Sequence, residues 1–205
     1  MRGLCSSLLL LVWFPAAART EGLGEPRRHD SFFFRFSIGP GTAIPAIQQG
    51  GAVPRVEFSG ASIDLDLAAG WSVREDLALH ATVFGWNLSN PNVEQQPFPS
   101  GELRGNVILN TYGVGATWYT MPLNLYLTAS VGVGRVRFDF PDLGVGDRTK
   151  PGVAFTAGTG KEWWISEFIG IGMGGYFTYF SAKDSTVPEN WSGPGYGLRA
   201  CMTLN

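Results

Sequence analysis

Five ionisable residues stand out by their surroundings: Arg35, Asp64, Asp66, His80 and Arg199. Each lies in a run where one set of alternate residues is apolar and the other set, to which it belongs, is mostly Gly, Ala, Ser or Thr. Asp64 and Asp66 are two positions apart, so on an extended chain both carboxylates leave from the same face. Guanidiniums, carboxylates and an imidazole sharing one face can form a buried ionic network that fixes strand order. If water reaches them, they can instead line a gate or a small ion path. Unpaired buried ions cost several kcal/mol each, so a balance of two arginines and two aspartates suits a sealed interior.

Nucleophilic catalysis fits poorly. His80 is followed by Ala81 and Thr82, and no Ser-His-acid arrangement shows in the spacing, so no catalytic residue is assigned. The only other histidine is His29. Cys5 and Cys201 are too few for a disulfide framework or a cysteine-built zinc site, so neither a metal nor a cofactor is expected. The run 170–175, GIGMGG, fits a dinucleotide-binding pattern literally, but it lies inside a strand pattern with no helix after it.

The elements that carry these residues alternate with a period of two, which marks strands with two unlike faces. The first segment sets Phe32, Phe34, Phe36 and Ile38 against Phe33, Arg35, Ser37 and Gly39. The second sets Ala61, Ile63, Leu65, Leu67, Ala69 and Trp71 against Ser62, Asp64, Asp66, Ala68 and Gly70. The third opposes Leu77, Leu79, Ala81 and Val83 to Ala78, His80, Thr82 and Phe84. Five more segments follow at 111–118, 125–134, 153–160, 169–179 and 195–204, each with glycines recurring on its second face. Closing such a sheet makes the eighth segment a neighbour of the first, so the five ionisable residues fall on four consecutive strands. The expected fold is all-β: an eight-stranded antiparallel up-and-down barrel.

Which face looks outward decides the solvent. A soluble barrel that binds a ligand in a calyx shows the same period, but its outer face must be rich in charge. Here the second face is small and mostly uncharged, which suits the crowded interior of a narrow barrel. The apolar face then looks outward, into lipid. Connections between segments alternate between long and short, with short turns at 73–76, 120–124 and 161–167, as in outer-membrane barrels. A strand of ~10 residues rises ~33 Å, which crosses an apolar band of about 25 Å when tilted by ~40°. Trp71, Trp118 and Trp163 lie on the apolar face near the short turns, and Tyr179 and Tyr196 lie on it near the long loops. They form the expected pair of interfacial aromatic girdles. Lys161 and Glu162 beside Trp163 and Trp164 read as a polar turn anchored at that interface.

Composition agrees. Of 205 residues 16% are charged, the formal net charge is −2 and 28 are glycine. This excludes a basic nucleic-acid-binding face, and the aromatic content is too high for a charged disordered chain. Residues 1–18 have a short positive start, an apolar run too short to span a bilayer as a helix, and Ala16-Ala17-Ala18, the pattern of a cleavable signal peptide. The polar stretch 19–30 reads as a mobile tail, and 31–205 as the barrel. The stretch 41–58 reads as an apolar, Pro- and Gly-punctuated loop where a surface partner would begin to bind.

Together the alternating strands, GVGATWY (113–119), YLTASVGVGR (126–135) and GTGKEWWIS (158–166) resemble the small outer-membrane β-barrel family of Gram-negative bacteria, the OmpA- and OmpX-type porin-like superfamily. The resemblance covers about residues 31–205. It implies a cell outer membrane location, both termini in the periplasm, and contacts with outer-membrane lipid and the barrel-assembly machinery. Members usually end on an aromatic residue, whereas this chain ends Met202-Thr203-Leu204-Asn205. The expected role is non-enzymatic: stabilising the envelope or presenting surface loops. A narrow channel for small or apolar solutes is one alternative, and a secreted soluble ligand-binding barrel is the other.

Overall fold

The computed structural model describes His29 and residues 32–48, 56–95, 101–185 and 189–204. Residues 1–18, read as a signal peptide, and nearly all of the polar stretch 19–30 lie outside the described residues. Among the described residues, twelve strands form one sheet: β1 (Phe32–Ala43), β2 (Ala46–Gln48), β3 (Val56–Arg74), β4 (Leu77–Ser89), β5 (Asn92–Gln95), β6 (Gly101–Glu102), β7 (Asn106–Thr120), β8 (Leu125–Phe140), β9 (Val145–Arg148), β10 (Gly152–Trp164), β11 (Ile169–Lys183) and β12 (Asn190–Leu204). Eight of them build the wall in the order β1-β12-β11-β10-β8-β7-β4-β3, and β1 pairs with β3 to close it. Every wall pairing is antiparallel. The eight alternating segments of the sequence are these eight strands.

The strands are longer than the apolar alternation suggested, and β8 shows why. Its outer face runs Leu125, Leu127, Ala129, Val131, Val133, while Tyr126, Thr128 and Ser130 are buried inside. That outer run covers about 27 Å along the strand, or roughly 21 Å of height at a tilt of about 40°, close to the apolar thickness of an outer-membrane barrel. Beyond Gly134 the alternation continues with its chemistry exchanged. Arg135, Arg137 and Asp139 now face out, and Val136, Phe138 and Phe140 are buried. The same exchange occurs on β7, where Val107 and Leu109 are buried and Asn106 and Asn110 exposed, and on β4, where Trp86 and Leu88 are buried. The lower part of the barrel is built for lipid and its upper part for water.

The small strands thicken this upper skirt. β2 bridges β12 and β3, β5 and β6 continue from β3, and β9 folds back onto β8. Part of the stretch read as a partner-binding loop, 41–58, therefore belongs to the wall. Ala43, Ala46 and Phe58 within it are buried, while 49–55 lies outside the described residues.

Glycines let large side chains into the narrow lumen. A Cβ on Gly160 or Gly174 would run into the Tyr126 hydroxyl, and one on Gly41 into that of Tyr176. The rings thus occupy space that the facing strands leave open.

Candidate functional site: the barrel interior

The interior divides into three layers. The middle layer holds the ionisable set. Asp64 and Asp66 leave β3 on the inner face, and Arg199 on β12 reaches past the intervening β1 to meet both. Its Nε bonds Asp64 Oδ1, and its Nη1 donates to Asp66 Oδ2 at 3.0 Å. The same guanidinium lies over the Tyr176 ring, 4.1 Å from its centre. Thr82 donates to Asp66 Oδ1 at 2.9 Å, so both oxygens of that carboxylate are engaged. All three charged residues are buried.

The other two ionisable residues stand apart from this triad. Arg35 makes no ion pair among the described residues. Its Nη2 donates to Thr128 Oγ1 at 2.9 Å, and its guanidinium sits between the rings of Tyr126 and Phe33, 5.2 and 5.7 Å from their centres. His80 Nε2 shares a hydrogen bond with Thr117 Oγ1 at 3.1 Å, and its ring stacks on Phe33. The two-against-two pairing expected of the sequence is therefore replaced by one arginine holding two aspartates and one arginine held by rings and a hydroxyl. The cause is height. Arg35 stands opposite Ala68 and Thr203, nearer the short turns, whereas Asp64 and Asp66 stand opposite Gly39 and Ser37.

The layer toward the short turns contains a residue whose role the sequence reading misplaced. Glu162 is not in a polar turn. β10 continues to Trp164, and its alternation carries Glu162 inward, where it is 2% exposed. Its Oε1 accepts from Thr203 Oγ1 at 2.8 Å and Tyr119 OH at 3.3 Å, with Cys201 Sγ at 3.8 Å. The series Gly158, Gly160, Glu162 was the available signal, hidden by the turn-like KEWW composition. His29 is also buried here. Its ring lies 3.6 Å from that of Tyr119 in a stack, with Trp164 tilted against it and Asn124 Oδ1 at 3.1 Å from Nε2. At His29, the chain read as a mobile tail is tucked into the barrel mouth.

The upper layer is apolar and aromatic. Phe58, Phe138, Phe140 and Trp191 form a stack, with Phe138 and Trp191 centroids 4.9 Å apart. Trp86, Phe180, Leu88, Leu109 and Val136 belong to the same cluster. Trp191 Nε1 donates to Asp184 Oδ2 at 2.9 Å, so its polar end is satisfied. This layer comes from residues outside the eight alternating segments.

Between the layers, the cavity beside Arg35, Tyr126, Tyr176 and Arg199 measures about 10 Å³, at or below what a single water needs. The described residues bring together no group of three or more His, Cys, Asp and Glu able to hold a metal.

Outside, the five aromatic residues lie at two levels. Trp71, Trp118 and Trp163 are exposed close to the short turns, with Trp118 Nε1 donating to Asp76 Oδ2 at 3.1 Å. Tyr179 and Tyr196 are exposed higher up, on β11 and β12. The band between them carries Leu127, Val131, Ile171, Met173, Leu198 and Met202, all exposed. Such a continuous apolar belt is far beyond what a water-soluble surface carries. It is also the reverse of a soluble calyx, whose apolar residues point inward.

This closed eight-stranded wall, with an apolar belt and a filled lumen, is the fold of the small outer-membrane β-barrels. Among solved structures, the chain is similar to Neisserial surface protein A, with a TM-score of 0.51 and 18% identity over 84% of this chain and 96% of that one. It is also similar to the outer membrane protein OprG from Pseudomonas aeruginosa, with a TM-score of 0.48 and 14% identity over 87% of this chain and 99% of that one. The outer membrane protease OmpT from Escherichia coli matches with a TM-score of 0.47 and 8% identity over 86% of this chain and 97% of that one. No family model and no curated protein matches the sequence.

Proposed function

We propose that the protein is a non-enzymatic barrel of the outer membrane that seals its own lumen and serves the envelope as a rigid wall element, presenting its upper skirt to the outside. One observation carries this reading: the interior is occupied by side chains through all three layers, leaving about 10 Å³ beside the ionic set. Eight strands enclose an interior that side chains can just fill. His80 shares its hydrogen bond with the Thr117 hydroxyl and stacks on Phe33, all three buried in the packed interior, which supports a packing role for it rather than a catalytic one. The apolar run and small-residue pattern of 1–18 support export through a cleavable signal peptide.

The test is a pair of assays on the full chain. Protein from isolated outer membranes should migrate as a compact band in cold SDS and shift on boiling. Reconstituted into liposomes, it should give no swelling with small sugars or small apolar solutes. Swelling with either solute would favour the narrow channel. Recovery in the soluble fraction, with no shift, would refute the membrane reading itself.

A further inference from the structure

We propose that Arg135, Arg137 and Arg148 form a binding site for the phosphate of a lipid headgroup, placed where the barrel emerges from the apolar layer. The proposal rests on the membrane placement given above. Arg137 on β8 and Arg148 on β9 are direct cross-strand partners. Arg135 lies two positions closer to the apolar belt on the same outward face, opposite Asn110. Like charges directly opposed across a sheet repel, and none of the three arginines makes an ion pair among the described residues.

Asp139 and Asp147 line a neighbouring groove with Arg137 and Arg148 but make no ion pair with them. Asp147 accepts from the Ser185 hydroxyl at 2.9 Å and from the backbone N–H of Arg148 at 2.7 Å. Asp139 stands two positions further up β8, opposite Gly146 and away from the belt. An anion from outside the chain is the missing partner, and guanidiniums match the oxygens of a phosphate in forked pairs.

The floor of the site selects a lipid over a free anion. The three arginines share a groove of about 390 Å³ with Tyr112 and Val133, which are 70% and 58% exposed. Cations at the upper edge and an apolar wall below match an amphiphile, its phosphate on the guanidiniums and its acyl chains along Val133, Val131 and Tyr112. The occupant is a phosphorylated lipid of the leaflet at the long-loop end.

The folded full chain in maltoside micelles, which carry no phosphate, is titrated with bisphosphorylated lipid A or with the same lipid after phosphatase treatment. Bound lipid per barrel is read by mass spectrometry. The phosphorylated lipid should bind with a midpoint roughly tenfold to a hundredfold lower than the dephosphorylated one. R137Q/R148Q should lose that difference, R135Q should lose part of it, and R74Q at the opposite end should keep it. Millimolar inorganic phosphate should leave the bound lipid in place. Equal binding of the two lipids, or undiminished binding by folded R137Q/R148Q, would overturn the site. Full displacement by inorganic phosphate would overturn its lipid specificity. If R137Q/R148Q gives no boiling-dependent gel shift, the lipid pair on the unaltered chain and R135Q decide. A native chain that fails that shift refutes the membrane reading separately.

Discussion

Arg199 donates to Asp66 across 133 residues of sequence, at 3.0 Å, and the bond passes over β1 through the lumen. It joins the last wall strand to the second, on either side of the strand that closes the barrel. The pair is a clasp on the seam, and with Asp64 it is buried away from water.

Breaking the clasp from one side should be costly. Arg199→Met leaves two buried carboxylates without their cation, a loss of about 3–5 kcal/mol. The triple variant R199M/D64N/D66N removes the charges together and should recover most of it. Urea unfolding of the barrel in lipid, followed by Trp fluorescence, checks both. A single variant as stable as the parent would show that the clasp does not hold the seam.

Glu162 organises the lower mouth in the same manner. Glu162→Ala strips Thr203 and Tyr119 of their acceptor and should cost about 1–3 kcal/mol, whereas Glu162→Gln, which keeps an acceptor oxygen, should cost less. The same unfolding assay reads the order of the two variants, and an inverted order would argue against this hydrogen-bonded role.

How far these layers can be read from sequence depends on what the alternation carries. The eight strands, the outward aromatics and the inward face of Arg35, Asp64, Asp66, His80 and Arg199 follow from a period of two, because one face had to meet lipid. Which arginine pairs with which aspartate depends on register, a property of the closed sheet that no single strand encodes. Glu162 was hidden because KEWW has the composition of a turn while its backbone remains a strand. The upper layer was hidden because Val136, Phe138 and Phe140 keep the inward face while the solvent outside changes from lipid to water. Apolar-out alternation ends there, although the strand does not.

That change of solvent predicts two unlike outcomes for the same substitution. Val131→Lys, inside the apolar belt, should cost about 2–4 kcal/mol. Asn106→Lys, on the outer face of the skirt opposite Asp139, should be within about 0.5 kcal/mol of the parent. Equal costs at the two sites would remove the boundary drawn between Val133 and Arg135.

The aromatic stack should behave as a core. Trp191→Ala removes contacts with Phe58 and Phe138, at a cost of about 3–5 kcal/mol. Because the ionic layer lies beneath, the variant should still carry no current. Unfolding and conductance measured on one preparation separate lost stability from an opened lumen.

The sealed lumen is the central claim, and single-channel recording in planar bilayers tests it most directly. Purified barrel, verified as inserted by its boiling-dependent gel shift, should give a flat baseline in molar potassium chloride at either polarity. Regular, reproducible current steps from the unaltered protein would contradict the claim and make the space beside Arg35 and Arg199 a conducting path.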